Sequence, residues 1–284
     1  MTATAETLPV RRPAPGALAR VWAGMRRHVL TVYAVLVLGY LFLPISIVIL
    51  FSFNNPAGRF NFTWQSFTLD NWRRWDAVPG LTDAMVVSLK VAAISSVVAT
   101  ALGTLIALAL VRYRFRGRGA TNLLIFTPMT TPEIVMGASL LTLFLNRGIA
   151  TGFGTIVIAH IMFNISYVVV TVKARLVGFD RHLEEAAMDL FASEWTTFRK
   201  VTLPLIAPGI LAAGLLAFAL SVDDFVITNF NAGATITFPL FIWGAARVGV
   251  PPQVNVMGTA IFVVAVSLML ANVLIQRRRS LKGA

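Results

Sequence analysis

The sequence predicts an all-α membrane protein of six transmembrane helices with both termini in the cytoplasm, and three observations predict it. Apolar residues make up 57% of the 284 residues and charged residues only 13%, with mean hydropathy +0.78, a balance that cannot coat a soluble domain. Six apolar stretches recur along the chain, each long enough for the roughly 20 residues that a helix needs to cross hydrocarbon. The basic residues gather in alternate connections, as insertion requires.

The stretches cover residues 29–52, 81–111, 120–145, 153–172, 205–228 and 254–275. Each is apolar on all sides, and nothing between them shows the two-residue alternation of a membrane barrel, so helices are expected. With the N terminus inside, the inner segments hold eighteen Lys and Arg residues, among them Arg112, Arg114, Arg116, Arg118, Lys173, Arg175, Arg277, Arg278 and Arg279. The outer segments hold five: Arg59, Arg73, Arg74, Arg147 and Arg247. The first stretch is too long for a signal-peptide core and precedes no small-residue cleavage pattern, so it is read as a retained helix.

The expected organisation is a flexible cytoplasmic tail (1–28), a first transmembrane helix (29–52), an extracytoplasmic loop (53–80), a five-helix membrane core (81–275) enclosing a cytoplasmic segment (180–204), and a basic cytoplasmic tail (276–284). The basic tails face anionic headgroups, so the net charge of +12 speaks for membrane lipids and not for nucleic acid. Trp64, Phe67, Trp72 and Trp75 in the outer loop suit the interface or an extracytoplasmic partner. Ala92, Ser96, Ala99, Gly103 and Ala107 form a stripe of small residues on which another helix can pack closely. Lys90 falls inside the second span, where its ammonium is expected to reach for the interface from a stem buried among helices.

Several chemistries are excluded. There is no cysteine, and His28, His160 and His182 lie too far apart to compose a metal set, leaving His160 as a polar group satisfied between helices. No Gly-x-x-x-x-Gly-Lys phosphate loop, His-Glu-x-x-His motif or Gly-x-Ser-x-Gly elbow is present, so no catalytic residue is assigned.

Three acids fall within spans: Glu133, Asp223 and Asp224. An ionised carboxylate costs roughly 3 kcal/mol at the centre of a membrane helix, so each should face a cavity or a partner. Glu133 follows Pro128 and Pro132, which interrupt the third span. Asp223 lies 19 residues beyond Pro204, roughly 28 Å along a helix, and belongs near the outer leaflet. Successive helical positions point about 100° apart, so Asp223 and Asp224 cannot share one groove unless the helix unwinds. Tyr167, Phe225, Phe230 and Trp243 are candidate aromatic faces beside these acids, fit for a cation.

The cytoplasmic segment carries a motif. Its first part can form an amphipathic helix with Leu183, Ala186, Ala187 and Leu190 on one side and Asp180 as N-cap. Glu185-Ala186-Ala187 is followed at fixed distance by Val201-Thr202-Leu203-Pro204, where Pro204 marks the start of the next helix. The pattern resembles the EAA signature of the type I ATP-binding cassette importer permeases: Glu-Ala-Ala, three residues, Gly, nine residues, Ile, any residue, Leu-Pro. Phe191 stands in the place of the signature glycine, a position suited to a left-handed turn that Phe tolerates poorly.

The resemblance runs over most of the chain and is strongest to the spermidine/putrescine permeases, through Arg112-Tyr113-Arg114-Phe115-Arg116-Gly117, Pro132-Glu133-Ile134-Val135-Met136, Val168-Val169-Val170-Thr171-Val172, Ala192-Ser193-Glu194 and Ser221-Val222-Asp223-Asp224. It implies the type I importer permease fold in the inner membrane of a bacterium. Glu184, Glu185, Ala186, Ala187, Asp189 and Phe191 then form a coupling helix that docks on a cytoplasmic ATPase dimer. ATP and Mg belong to that ATPase, and this chain binds no cofactor and no metal. The other implied partners are a homologous second permease and an extracytoplasmic substrate-binding protein. Glu133, Asp223, Asp224, Tyr167, Phe225 and Trp243 would line a polyamine pathway. Permeases for ferric ion, thiamine or an organophosphonate look alike, and a secondary carrier or a membrane enzyme remains the reading from a different class.

Overall fold

The computed structural model describes residues 17–178 and 180–282, and the apolar stretches are helical apart from breaks at 131–132 and 224–225. Residues 1–16, which hold most of the expected N-terminal tail, lie outside them, as do the last two of the basic tail. Helix α1 spans Ala17–Phe51, so it begins inside the segment expected to be a tail. None of the residues in the apolar window of His28–Phe51 is fully buried in the rest of the chain. It meets only the last helix closely, where Val48 lies opposite Gly258.

The loop between α1 and α3 is built on buried amides. Asn54 donates from Nδ2 to Asn61 Oδ1 (2.7 Å) and to the Thr63 carbonyl (2.8 Å), and Asn71 Nδ2 donates to the carbonyls of Ser52 (3.1 Å) and Asn54 (2.8 Å). These bonds satisfy backbone groups that no helix or sheet pairs in this loop. Phe53 stacks on both Phe67 and Trp72, each at 5.6 Å, beside the short helix α2 (Asp70–Arg73). Phe67 and Trp72 therefore help hold the loop together, while Trp75 stays about half exposed.

The core is a three-helix contact among α3 (Leu81–Arg112), α6 (Phe153–Val177) and α9 (Leu203–Asp223). The small-residue stripe is what brings them together: Ala92, Ser96, Ala99, Gly103 and Ala107 are all buried. A Cβ added to Gly103 would lie 2.6 Å from Val168 Cγ1, so only glycine permits the α3–α6 approach. Leu110, Ile125, Val172, Leu176, Ile206 and Ala213 extend this cluster towards the C-terminal ends of α3 and α6. Lys90 is exposed on the outside of the bundle, so the expected burial of its stem among helices is not met: its place on α3 faces away from α6 and α9.

The third span is broken. Helices α4 (Arg118–Thr130) and α5 (Glu133–Asn146) meet at 108° across Thr131-Pro132. Thr131 is extended, as a residue before proline prefers, while Pro128 is accommodated inside α4. Four described helices are long and apolar enough to cross a membrane, and the bent pair makes a fifth. The last helix, α12, runs Pro252–Lys282, so the basic tail continues it as helix to Lys282. Its described apolar portion, Pro252–Ser267, is shorter than a crossing.

Between α6 and α9 the chain forms α7 (His182–Asp189), α8 (Glu194–Thr197) and a π-turn over Phe198–Thr202 that leads into α9. Pro204 stands in the first turn of α9, as expected, but the π-turn joins α9 to α8, so the helical run is continuous from Glu194 to Asp223. Pro204 has no N–H to donate one turn back, and the ladder shifts there, with Leu203 N–H bonding the Phe198 carbonyl. After α9 come α10 (Val226–Asn231) and α11 (Phe238–Val248). Helix α10 packs on α5, with Phe230 over Gly137.

Replacing Gly103 by Val is expected to cost about 2 kcal/mol by overpacking, read as a lower unfolding temperature in detergent. Adding Val168→Ala should recover part of it; a Gly103→Val protein as stable as the parent would contradict the close approach of α3 and α6.

Candidate functional site

Helix α9 ends at Asp223 and the chain turns extended at Asp224 (ψ 118°) before α10 starts. The two neighbouring acids are thereby sent to different places. Asp224 goes inward: its side chain is 5% exposed, and its carboxylate accepts from Thr228 N (2.7 Å), Thr228 Oγ1 (2.7 Å) and Ile227 N (3.4 Å), capping the first turn of α10. It also pairs with His160 Nε2 at 3.2 Å, and His160 Nδ1 bonds Ser221 Oγ at 2.6 Å. Ser221 reaches on to Ser95 Oγ at 3.1 Å, so the network ties α3, α6, α9 and α10 into one buried knot. His160 is thus the satisfied inter-helix group expected of it. With its lone pairs engaged and its surroundings closed, Asp224 is spent on structure.

Asp223 faces the other way, into a cleft of about 480 Å³ walled by Val222, Phe225, Phe238, Ile242, Trp243 and Ala246. Phe225 and Trp243 form an aromatic pair, ring centroids 5.0 Å apart. Glu133 opens α5 immediately after the Pro132 break, where the helix N-terminus favours a carboxylate. It lies within electrostatic reach of Asp223 and Asp224 and of the Tyr167 hydroxyl. Tyr167 itself packs on Phe163, at 4.9 Å between ring centroids. Among the described residues neither Glu133 nor Asp223 has a Lys or Arg partner within 4 Å. The structure therefore places Asp223, Phe225 and Trp243 in one cleft, sets Glu133 within electrostatic reach of both aspartates and of Tyr167, and engages Asp224 in buried hydrogen bonds. Phe230 sits against Gly137 and serves packing.

The segment between α6 and α9 is organised around Glu184. Its carboxylate is bonded by both Arg112, the last residue of α3, and Thr202, in the π-turn below α9, and it is 16% exposed. Arg181 adds a bond to the Val111 carbonyl at 3.0 Å. Helix α7 is thus bolted to the C-terminal end of α3 and the start of α9, two of the three core helices. Asp180 caps it one position earlier than a regular N-cap, accepting from His182 N at 3.0 Å. Glu185 meets only His182, at 3.0 Å, and stays open to solvent, as do Ala186 and Asp189, with Ala187 half-buried. The apolar side of α7 is not covered by the chain: Leu183 and Leu190 are both exposed.

Phe191 takes the conformation that its position calls for in spite of its side chain. Its φ is +61°, the one positive value among the described non-glycine residues. Phe191 N bonds the Met188 carbonyl (2.9 Å) and Ala192 N bonds the Ala187 carbonyl (3.1 Å), the two bonds of a Schellman end. A Cβ in the left-handed region costs about 1 kcal/mol, and the ring is left 99% exposed. Sequence reasoning missed Arg112 and Thr202 as the partners of Glu184, and Ser95, Ser221 and Thr228 as those of the buried pair. Arg112, Thr202, Ser95 and Ser221 reach their partners from other helices, which no spacing along the chain signals, whereas Thr228 lies four residues after Asp224 and could have been found as a cap contact.

Comparison with known proteins places these features. Residues 99–281 match the family model described as the binding-protein-dependent transport system inner membrane component. The spermidine/putrescine transport system permease protein PotC of Escherichia coli (strain K12) is 42% identical over 242 residues, covering 85% of this chain and 91% of that protein. The putrescine transport system permease protein PotI of the same strain is 37% identical, covering 80% and 84%. Among solved structures, a bacterial ABC transporter involved in the import of the acidic polysaccharide alginate matches with TM-score 0.61 at 17% identity, over 94% of this chain and 99% of that one. That likeness speaks for the fold alone.

The two neighbouring acids should separate by stability. Asp224→Asn is expected to lower unfolding stability by about 3 kcal/mol, because it breaks a buried pair and strands His160. Asp223→Asn, at the open cleft, should leave thermal unfolding in detergent unchanged; equal losses in both would contradict the division of roles.

Proposed function

The chain belongs to the family of binding-protein-dependent transport system inner membrane components, and from that premise we propose that it is the permease subunit of an ATP-driven importer of spermidine and putrescine, forming half of the translocation pathway. One observation carries the cargo assignment: Asp223 shares its cleft with the Phe225–Trp243 pair, Glu133 lies within its electrostatic reach, and among the described residues neither acid has a Lys or Arg within 4 Å. A polyamine is a row of ammonium groups joined by methylenes, so it needs carboxylates at intervals and apolar or aromatic wall between them. An anionic organophosphonate would be repelled by the same acids.

In this reading the chain crosses the inner membrane six times with both ends in the cytoplasm, which the Lys and Arg distribution supports. The cleft at the outer end of α9 receives the cargo from an extracytoplasmic binding protein, and a homologous permease closes the other side of the path. An ATPase dimer on the cytoplasmic face supplies ATP hydrolysis. It docks on Glu185, Ala186, Ala187, Asp189 and the exposed Phe191, while Glu184 keeps α7 fixed to α3 and to the base of α9. The helical run from Glu194 to Asp223 spans about 45 Å at 1.5 Å per residue. A push on its inner end is therefore delivered, along one rod, to the acid in the outer cleft. The ATPase closes, the rod tilts, and Asp223 moves relative to Glu133 on the separate helix α5.

Reconstituted with its ATPase, second permease and binding protein in proteoliposomes, the chain should take up labelled spermidine and putrescine in an ATP-dependent manner. Asp223→Asn or Glu133→Gln should reduce uptake about ten-fold by removing a charge-assisted contact. Unchanged uptake in both variants, or uptake of thiamine or iron in place of polyamines, would overturn the assignment. Glu185→Lys should insert normally yet lose the co-purifying ATPase; retention of the ATPase with full transport would reject the docking role.

A further inference from the structure

Phe191 combines two liabilities at the exit of α7. Its backbone is left-handed, at φ +61°, a region that glycine enters freely and a Cβ disfavours. Its ring is almost wholly exposed, although a phenyl ring belongs out of water. Neither liability is offset within the chain, because a ring so exposed packs on nothing in it. Strain that persists in firmly held surroundings points to function. The surroundings here are firmly held: Glu184 bonds Arg112 and Thr202, and the Schellman bonds fix the turn itself. Leu190 and Trp195 are exposed as well, and Trp195 is braced by stacking on Phe198, with ring centroids 5.8 Å apart. From His182 to Trp195 the chain carries four acids, Glu184, Glu185, Asp189 and Glu194, and no Lys or Arg. An anionic lipid surface repels such a stretch, so apolar rings within it suit a protein partner whose socket is apolar and whose rim is basic.

We propose that Phe191 is the anchor of the docking surface: its ring enters an apolar, basic-rimmed socket on the ATPase and restricts this permease to ATPases with room for an aromatic side chain. The inference rests on the docking reading above and adds to it the residue that selects the partner. A permease with the signature glycine presents only backbone at this place, and a groove shaped to backbone has no space for a phenyl ring. The left-handed turn is needed to end α7 and the ring is needed to fill the socket, and both demands fall on one residue. Stability of the free chain and affinity for the partner are therefore opposed at Phe191. Glycine suits the fold, and phenylalanine suits the partner.

The test is the affinity of the purified ATPase for the paired permeases in lipid nanodiscs, measured by biolayer interferometry, beside the unfolding temperature of this chain in detergent. Phe191→Gly is expected to raise the unfolding temperature by about 2 °C through release of the left-handed backbone. The same change should weaken ATPase binding about 30-fold, as truncating an anchor does. Phe191→Asn, which also tolerates the turn, should show the same split, while Phe191→Tyr keeps the ring and should bind within about three-fold of the parent. An ATPase from an importer whose permease carries the signature glycine should prefer Phe191→Gly to the parent by about ten-fold. Binding of the cognate ATPase to Phe191→Gly that is unchanged or tighter would overturn the inference, as would a Phe191→Tyr protein as weak as Phe191→Gly. A loss confined to nanodiscs containing phosphatidylglycerol would also overturn it, by assigning the ring to the lipid surface. Each of these results leaves docking itself standing so long as Glu185→Lys abolishes ATPase binding; a parent permease that binds no ATPase would overturn both.

Discussion

The buried bond between His160 and Asp224 is the interaction on which the junction of α3, α6, α9 and α10 depends. A carboxylate amid membrane helices is tolerated only when its acceptor sites are filled. Thr228, Ile227 and His160 fill them, and Ser221 and Ser95 complete the chain of bonds across four helices. The bond fixes where α9 stops. Once the helix stops at that point, Asp223 has one free direction, the cleft shared with Phe225 and Trp243. The stability of the fold and the charge of the candidate site are thus assigned to adjacent residues by one kink.

A similar division of labour appears at the opposite end. Glu184 and Glu185 are neighbours in a motif, but Glu184 is consumed by Arg112 and Thr202, while Glu185 is open. The first makes α7 part of the membrane bundle and the second leaves it available to another chain. Phe191 adds a local cost, a left-handed backbone under a large side chain, at the point where α7 must end and the rod towards Asp223 must begin. The Schellman bonds show that the turn itself is required, since the chain adopts it even without glycine.

Much of this was legible in the sequence, for reasons that differ from residue to residue. The spans and the small-residue stripe can be read because hydrocarbon and close packing restrict residue type over many positions. The break at Pro132 can be read because proline lacks an N–H, although its 108° angle cannot. Cost alone marks Glu133, Asp223 and Asp224. Which of the two adjacent acids faces the path could not be decided, because the deciding partner, His160, is on another helix. The end of α9 carries no glycine or proline to announce it. The helix start near Pro204 followed from a sound local rule, while the π-turn that joins it to α8 did not.

The chain has no cysteine, which allows a direct test of the claim that an acid-bearing cleft at the outer end of α9 receives a cation. Ala246 lines that cleft without any polar contact of its own. In the assembled importer, an Ala246→Cys side chain should react with a membrane-impermeant methanethiosulfonate added from outside. Spermidine should slow the reaction, and Asp223→Asn should abolish the slowing. A thiol that does not react, or protection that persists when Asp223 has lost its charge, would contradict the account.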